Sequence, residues 1–335
     1  MKICTIFTGG TIGSRVRKNG VISTERGAAY RLIENYTSLY GKNDEFLVEE
    51  PYTILSENLD AGHLKRLISC IDKWVRKKDI DGIIVTHGTD TLQYTAAILS
   101  YIFGGSEIPI ILVSSDLPLE DTSSNGMDNF RYAVKFIELG CGKGVFVSYR
   151  NRGEFPVIHR GTRLQYSEQY SARLDSISDS WFGRFEEDVF VKNPAYIVRP
   201  GMEKLLDSVD CVELSDKSDK IMRIQPYVGM EYPDIPNDVK VVLHESFHSG
   251  TISISAGLER FAAQAKNKGV RIFLTGLAAK KSVYETVEMY RSMGIISLPE
   301  SAVISQYCKL WLAVSNNLDI DEIMKISVVE DHVKG

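Results

Sequence analysis

Short apolar runs alternate along the chain with longer segments whose apolar residues recur at helical spacing. Residues 3–7 and 81–86 are runs of the first kind, and a polar turn follows each of them. Residues 61–77 are of the second kind, with apolar side chains three or four positions apart, which predicts an amphipathic helix. Strands that alternate with helices at this spacing indicate βαβ units and a parallel sheet.

The rest of the first half continues this alternation. It predicts strands at residues 46–55, 109–114, 144–149, 155–160 and 189–198, and helices at residues 28–40, 91–103 and 125–139. Residues 109–114 are almost purely aliphatic, as expected for a parallel strand that is covered on both faces. The polar region at residues 161–183 has no clear period, and we do not place its elements.

The second half repeats the alternation on a smaller scale. Charged residues and serine are frequent at residues 200–220, which we interpret as a linker. After it, the pattern predicts strands at residues 221–227, 239–244 and 270–275, and helices at residues 253–268, 282–293, 300–315 and 319–326. We therefore predict an α/β fold with two domains: a larger N-terminal parallel-sheet domain (flavodoxin-like, doubly wound) at residues 1–199 and a smaller C-terminal α/β domain at residues 221–335.

The composition argues against several classes of partner. The net charge of −5 is mild, and no basic stripe indicates nucleic-acid binding. No apolar run approaches the roughly 18–20 residues that span a bilayer, and no leader pattern precedes the first strand. The cysteines form no CxxC pair. His244, Glu245 and His248 could be metal ligands, but they lie where a strand runs into a turn, which is poor ligand geometry, and a polar interface turn is favoured. We expect a cytoplasmic protein with reduced thiols, no metal or other cofactor, and no nucleic-acid or membrane partner.

Two polar turns at strand ends carry the candidate chemistry. They read TGGT at residues 8–11 and HGTDT at residues 87–91. Ligands of open α/β sheets bind beyond the carboxyl ends of the strands, where these turns offer hydroxyls, a carboxylate and free helix N–H groups. A tight turn would also explain the glycines, and a helix N-cap would also explain Thr89 and Asp90. Neither turn fits a phosphate-binding glycine motif.

The first turn, extended to TGGTIG, and the HGTDT turn together resemble the motifs of the bacterial-type L-asparaginases. The resemblance extends more weakly over most of the chain. It implies that Thr11 is the nucleophile, that Thr89 orients a water or hydroxyl, and that Asp90 holds a proton relay or binds the substrate amino group. It also implies that Gly10 and Gly88 are substrate-binding positions, with the N–H groups of Gly88 and Thr89 as oxyanion donors.

A third turn, SEN at residues 56–58, aligns with a substrate-binding turn of the same family. The resemblance implies that the Ser56 hydroxyl holds the substrate α-carboxylate and that Glu57 contacts the α-amino group. An acidic side chain is a suitable partner for an ammonium group. The alternative is that Ser56 caps a helical turn.

One departure from the family pattern concerns a lysine at the end of the motif RGxRxxK. Residues 160–166 read RGTRLQY here, so Tyr166 stands at the lysine position. The family's lysine pairs with the HGTDT aspartate, and an unpaired carboxylate is costly if it is buried. We therefore expect Tyr166, Arg163 or Arg173 to hydrogen-bond Asp90, with Tyr166 favoured as a neutral catalytic relay.

A second departure lies in the loop after the first turn. The family carries a tyrosine there that helps to activate the nucleophile, and the equivalent residue here is Val21. Residues 15–29 are polar and contain glycine, which indicates a mobile lid over the site.

The resemblance implies an amidohydrolase that converts L-asparagine, or a related small amide, to L-aspartate and ammonia through a threonine nucleophile. The two departures favour an alternative, a catalytically weak relative that binds aspartate or asparagine as a sensor or regulator. The expected partner is a small amino-acid amide in both cases. Because sites of this family are completed across a subunit contact, the resemblance also implies a homodimer or homotetramer.

Overall fold

The computed structural model of the protein describes residues 1–16, 22–24, 28–41, 44–215, 220–276 and 285–333, with residues 13–16, 22–24 and 28–29 as backbone alone. The strands of the first domain are β1 (Lys2–Phe7), β2 (Ser14–Val16), β3 (Ile22–Thr24), β4 (Glu45–Glu49), β5 (Gly82–Thr86), β6 (Pro109–Val113), β7 (Gly144–Tyr149), β8 (Val157–Arg160), β9 (Gly183–Glu186) and β10 (Val189–Lys192). Its helices are α1 (Ala28–Tyr40), α2 (Ala61–Lys77), α3 (Leu92–Phe103) and α4 (Gly126–Glu138).

Within the described ranges, eight of these strands form one sheet in the order β4-β1-β5-β6-β7-β8-β9-β10. The strands from β4 to β7 are parallel, and their order is that of a flavodoxin-like, doubly wound sheet. β8, β9 and β10 continue the sheet with antiparallel pairing. β2 and β3 pair separately with each other. The predicted α/β class is confirmed, as a parallel sheet with an antiparallel extension.

Burial explains why these segments form strands and helices. Every residue of β5 and β6 is buried, because helices cover both faces of the parallel strands. α2 places Leu64, Leu67 and Ile71 in the same apolar cluster as β5. The helix begins after Asp60, whose carboxylate accepts a hydrogen bond from the His63 N–H at 2.8 Å.

The second domain is a smaller parallel sheet with its own helices. Its strands are β11 (Ile221–Ile224), β12 (Val241–His244), β13 (Arg271–Leu274) and β14 (Ile295–Ser297), paired in sequential order. Its helices are α5 (Ala256–Lys268), α6 (Thr286–Ser292), α7 (Val303–Ser315) and α8 (Ile320–Ile323). α7 joins the two domains, because Cys308 and Leu312 pack into the first core and Leu310 packs into the second. The predicted two-domain arrangement is confirmed.

The described part of the predicted linker packs against the first domain. Leu205 and Leu214 are buried in the first core, and the Leu205 N–H donates to the Tyr101 carbonyl at 2.7 Å. Residues 216–219 lie outside the described residues. The boundaries at residues 1–199, 200–220 and 221–335 therefore stay a prediction.

Most of the predicted elements agree with the structure to within a few residues. The predicted strand at residues 46–55 is wrong beyond Glu49, because Pro51 lacks the N–H that a continuing strand would donate. The chain rejoins the sheet edge only where Ile54 pairs with Gly9. The pattern misses β9, which lies at the end of a polar region, and β14, which has only three residues. None of the described helices is long and apolar enough to cross a membrane.

Candidate active site

The turns after β1 and β5 lie side by side, because the two strands are parallel neighbours with Phe7 paired to Thr86. Thr8 connects them further, since its Oγ1 donates to the Thr86 carbonyl at 2.7 Å. Chain order reverses across β1, with β4 on one side and β5 on the other. Doubly wound sheets bind ligands at such a switch point, beyond the carboxyl ends of the strands.

Glycines allow these turns to touch each other. Gly10 has a φ of +82°, and a Cβ at this position would lie 2.5 Å from the Gly88 backbone nitrogen. A Cβ on Gly88 would lie 2.4 Å from the Ser56 Oγ. A side chain at either position would therefore separate the turns. Gly10, Ser56 and Gly88, three of the predicted substrate-binding residues, are brought together.

Ser56 connects the third turn to Asp90. The buried Ser56 hydroxyl donates to Asp90 Oδ2 at 3.3 Å, and Thr91 Oγ1 donates to the Ser56 carbonyl at 2.9 Å. Thr89 precedes Asp90 in the same turn and is partly exposed. The structure thus places two hydroxyls and one carboxylate of the predicted site on adjoining turns.

Thr11 and Glu57 lie in short turns next to this cluster. Thr11 begins the 3₁₀ turn Thr11–Gly13 directly after Gly10, and its side chain is partly exposed. Glu57 follows Ser56 in the 3₁₀ turn Ser56–Asn58 and is exposed. Both side chains are therefore accessible to a small ligand.

Asp90 is exposed, which corrects one expectation from the sequence. The requirement for a cation partner assumed a buried carboxylate, whereas water can solvate this one. Ser56 donates a hydrogen bond to the Asp90 carboxylate. The absence of the family's lysine therefore leaves no uncompensated buried charge at this position.

Behind the HGTDT turn, the buried His87 fixes the backbone of Gly88. Its Nδ1 lies 2.9 Å from the Gly88 carbonyl oxygen and its Nε2 lies 2.8 Å from Thr95 Oγ1. Because a carbonyl only accepts, Nδ1 donates to it, and Nε2 accepts from the threonine hydroxyl. Burial lowers the pKa of His87 to about 4. A neutral histidine thus holds the turn without adding charge to the site.

A cavity of about 560 Å³ opens beside the HGTDT turn. Its wall contains Thr89, Asp90, Leu92, Gln93, Tyr94, Asp116, Tyr149, Tyr166 and residues 167–174. Among the described residues, this wall does not include the predicted site residues Gly10, Thr11, Ser56, Glu57 and Gly88. The candidate site therefore has two parts, the contact between the turns and the cavity, and Thr89 and Asp90 belong to both.

Tyr166 faces the second domain. The Arg223 guanidinium carbon lies 4.7 Å from the centroid of the Tyr166 ring, and the ring centroids of Tyr166 and Tyr94 are 6.5 Å apart. Arg223 also donates to the Tyr94 hydroxyl at 3.3 Å and pairs with Glu245 at 2.6 Å. Burial, reinforced by Tyr94, raises the pKa of Tyr166, so this phenol stays neutral. The predicted hydrogen bond from Tyr166 to Asp90 is not formed in the described structure, because Tyr166 lies against Tyr94 and Arg223.

The two arginines proposed as alternatives to the lysine also have other partners. Arg163 is fully buried and donates to backbone carbonyls near the C-terminus. Arg173 pairs with Glu154 at 2.6 Å and with Asp175 at 3.0 Å. The expectation that either arginine hydrogen-bonds Asp90 is therefore wrong, because tertiary contacts engage both guanidinium groups elsewhere.

The expected lid falls largely outside the described residues. Residues 17–21, which include Val21, and residues 25–27 are among those not described. β2 and β3, on either side of residues 17–21, pair as antiparallel strands. A lid formed by residues 15–29 stays a prediction.

Sequence reasoning overlooked two residues near the site. Gln93 is a buried polar residue of α3, two positions after the HGTDT motif, and its place beside that motif is a signal that a sequence can supply. Arg223 lies on β11 of the second domain, so only the tertiary fold brings it to Tyr166.

Comparison with known families identifies the family of this chain. A family model described as "Asparaginase, N-terminal" matches residues 2–195, which is more than half of the chain and includes all three turns. The chain belongs to the asparaginase family. This asparaginase-family hydrolase therefore carries its candidate site within the part that the family model covers.

Relatives of this asparaginase-family protein carry two different names. A glutamyl-tRNA(Gln) amidotransferase subunit from Pyrococcus abyssi is 25% identical over 346 residues, which cover 97% of this chain and 74% of the relative. The L-asparaginase of Thermococcus kodakarensis is 27% identical over 267 residues, which cover 77% of this chain and 76% of the relative. Because the names differ, they support the family without specifying a substrate.

Solved structures of the family share the fold. The thermostable L-asparaginase from Thermococcus kodakarensis aligns with a TM-score of 0.78 at 21% identity, covering 100% of both chains. L-asparaginase I from Vibrio cholerae aligns with a TM-score of 0.71 at 21% identity, covering 96% of this chain and 95% of the other. At these identities the likeness shows the fold alone.

Proposed function

We propose that this asparaginase-family protein hydrolyses L-asparagine, or a related small amide, to L-aspartate and ammonia through a threonine nucleophile. The observation that carries the proposal is the close contact of Gly10, Ser56 and Gly88 at the β1–β5 switch point. This contact brings the turn of Thr11 next to the turn of Thr89, where hydroxyls and a carboxylate suit covalent amide hydrolysis.

In the proposed reaction, Thr11 Oγ1 attacks the side-chain amide carbon and loses its proton to the Thr89–Asp90 pair. The N–H groups of Gly88 and Thr89 stabilise the oxyanion. The C–N bond then breaks, the nitrogen takes up a proton and leaves as ammonia, and an aspartyl ester remains on Thr11. Water attacks this ester in the second step, which releases L-aspartate and restores the threonine hydroxyl.

The amino-acid part of the substrate is assigned to the SEN turn. The Ser56 hydroxyl would donate to the α-carboxylate, and Glu57 would accept from the α-ammonium group. Ser56 donates to Asp90 at 3.3 Å, which is long for a bond between a hydroxyl and an oxygen acceptor. A bound carboxylate could therefore replace this contact with a shorter one.

The second candidate function is binding of aspartate or asparagine without efficient turnover, as a sensor or regulator. The position of Tyr166 favours it, because the family has a lysine there and the phenol lies under Arg223 instead of against Asp90. Ser56, Glu57 and Asp90 suit both functions, so the binding residues do not decide between them.

One experiment separates the two functions. Ammonia release from L-asparagine, with L-glutamine in parallel, is measured on the same preparation that is titrated calorimetrically with L-aspartate. Hydrolysis predicts ammonia and L-aspartate in equal amounts, and loss of both in Thr11→Ala. Binding of L-aspartate without ammonia release would favour the sensor function, and the absence of both would contradict both proposals.

We also propose that the protein works in the cytoplasm as a homodimer or homotetramer, because the resemblance implies a site completed at a subunit contact. Sedimentation velocity under assay conditions tests the assembly. A monomer with full turnover would contradict it.

A further inference from the structure

Gln93 is a buried polar residue that the proposed mechanism leaves unused. It lies in the first turn of α3, is only 3% exposed, and lines the same cavity as Thr89 and Asp90. A buried amide side chain normally has hydrogen-bond partners at both its nitrogen and its oxygen. A Gln93 atom that lacks such a partner within the described protein is therefore a candidate to hydrogen-bond a ligand in the cavity.

The backbone fixes the orientation of the Gln93 carboxamide. Its Nε2 donates to the Asp90 carbonyl at 3.0 Å. A carbonyl oxygen only accepts, so the flipped amide would place two acceptors against each other. Oε1 must therefore face away from this carbonyl, and it has no hydrogen-bond donor in the described part of the chain.

An unpaired buried oxygen is not in itself a ligand site, and Gln306 demonstrates this. Gln306 is also 3% exposed, its Nε2 donates to the Pro299 carbonyl at 3.1 Å, and its Oε1 likewise lacks a donor among the described residues. Gln306 lies on α7 and is absent from the described wall of the cavity. Gln93 differs because it is one of the residues that line the cavity, next to Thr89 and Asp90.

We propose that Gln93 is a specificity-determining residue whose Oε1 accepts a hydrogen bond from an N–H group of the bound amino-acid amide. The inference rests on the proposed function. The carboxamide and the α-ammonium group of such a substrate are both N–H donors. A buried acceptor discriminates against an analogue without the donor, because the acceptor then stays without a hydrogen-bond partner. If the carboxamide is the donor, Gln93 selects amides over esters of the same shape.

The test removes the acceptor and keeps the shape of the side chain. Gln93→Met is nearly isosteric and has only a weak acceptor, and Gln93→Leu is a second apolar variant in case the first does not fold. Gln306→Met is the matched control. Gln306 is equally buried and has the same hydrogen-bond pattern as Gln93, but it does not line the described cavity. For each variant, kcat/KM is measured for L-asparagine and for the β-methyl ester of L-aspartate, together with the Kd for L-aspartate and the Tm.

The expected result is that Gln93→Met lowers kcat/KM for L-asparagine by about tenfold or more, whereas Gln306→Met leaves it unchanged. A smaller fall for the ester identifies the carboxamide as the donor. An equal fall for amide and ester, with weaker L-aspartate binding, identifies the α-ammonium group. Unchanged kinetics in a folded Gln93 variant would overturn the inference, as would an equal fall in Gln306→Met.

Failure of this inference can be separated from failure of the proposed function. If the wild-type protein releases no ammonia, the proposed hydrolysis fails, and calorimetric titration with L-asparagine still tests Gln93. Weaker binding by Gln93→Met than by the wild type supports the hydrogen bond. Equal binding by both proteins, or no binding by the wild type, overturns it.

Discussion

At the scale of single residues, Ser56, Thr89 and Asp90 form a cluster whose members differ in solvent exposure. Ser56 is buried, Thr89 is partly exposed and Asp90 is exposed. A ligand can therefore contact Thr89 and Asp90 directly, whereas Ser56 also holds the Asp90 carboxylate from below the surface. We infer that Ser56 positions Asp90 until a substrate carboxylate competes for its hydroxyl.

The two candidate catalytic threonines should be essential for turnover and dispensable for folding. We predict that Thr11→Ala and Thr89→Val each abolish ammonia release from L-asparagine while Tm changes little. Loss of one hydroxyl in a turn costs about 1 kcal/mol of stability, but loss of the nucleophile removes the covalent route. Thr53→Val, at an exposed position outside the cavity, is the control. Near wild-type hydrolysis by both variants would refute the site assignment.

The buried His87 should make stability depend on pH. Its pKa is about 4 in the folded protein and roughly 6.5 in the unfolded chain. Between these values the unfolded chain binds more protons, so the free energy of unfolding rises with pH and falls as the pH drops from about 6.5 towards 4. The full effect is roughly 3 kcal/mol for this residue. The buried His159, whose pKa is also about 4, adds to the same slope.

Urea unfolding at several pH values measures this slope. His87→Gln should reduce the loss of stability between about pH 6.5 and pH 4, because the substituted side chain does not titrate. An identical slope in His87→Gln and in the wild type would contradict the assignment of a neutral buried His87.

At the scale of elements, the candidate site depends on how closely three turns approach each other. Gly88 lies between Gly10 and Ser56, and its added Cβ would come within 2.4 Å of Ser56 Oγ. Each turn is visible in the local sequence. The contact between the turns is not, because it depends on β1 and β5 being neighbours in the sheet.

Gly88→Ala should separate these turns. We predict a loss of roughly 1–3 kcal/mol of stability from overpacking and a fall in turnover, because Ser56 would be displaced from Asp90. Gly257→Ala is the control, since the nearest atoms to its added Cβ lie at ordinary contact distances of 3.4 and 3.6 Å. Wild-type stability and turnover in Gly88→Ala would show that the contact is not needed.

The sequence predicts elements best where one local rule determines them. α2 is an amphipathic helix with an N-cap, and its predicted and observed bounds coincide. β5 follows from a β-branched run before a polar turn. Residues 167–174, which form one wall of the cavity, have no such period, and their position depends on contacts with other segments. The lysine-to-tyrosine change is visible in the sequence, but the pairing of Tyr166 with Arg223 requires the second domain.

At the scale of the whole molecule, the second domain contacts two residues of the cavity wall, Tyr94 and Tyr166. Arg223 extends from β11 to Tyr94 and Tyr166 of the first domain, and its charge is balanced by Glu245. α7 adds a second connection, because it packs into both apolar cores. The second domain therefore supports the cavity wall from behind, through Tyr94 and Tyr166.

Arg223→Met should weaken this connection. The variant loses a cation–π contact worth about 0.5–2 kcal/mol and leaves Glu245 without its partner, so we expect lower kcat/KM and faster hydrogen exchange in residues 166–174. Arg271→Met is the control, because Arg271 pairs with Asp321 within the second domain. Equal exchange in the wild type and Arg223→Met would refute the proposed support of the cavity wall.

The proposed hydrolysis requires Thr11 to form a covalent intermediate at the β1–β5 switch point. Acid quenching of the wild-type protein during turnover of L-asparagine, followed by mass spectrometry of its peptides, tests this claim most directly. We expect one aspartyl group on the peptide that contains Thr11, and no adduct in Thr11→Ala. An aspartyl adduct on a different peptide, or ammonia release that persists in Thr11→Ala, would contradict it.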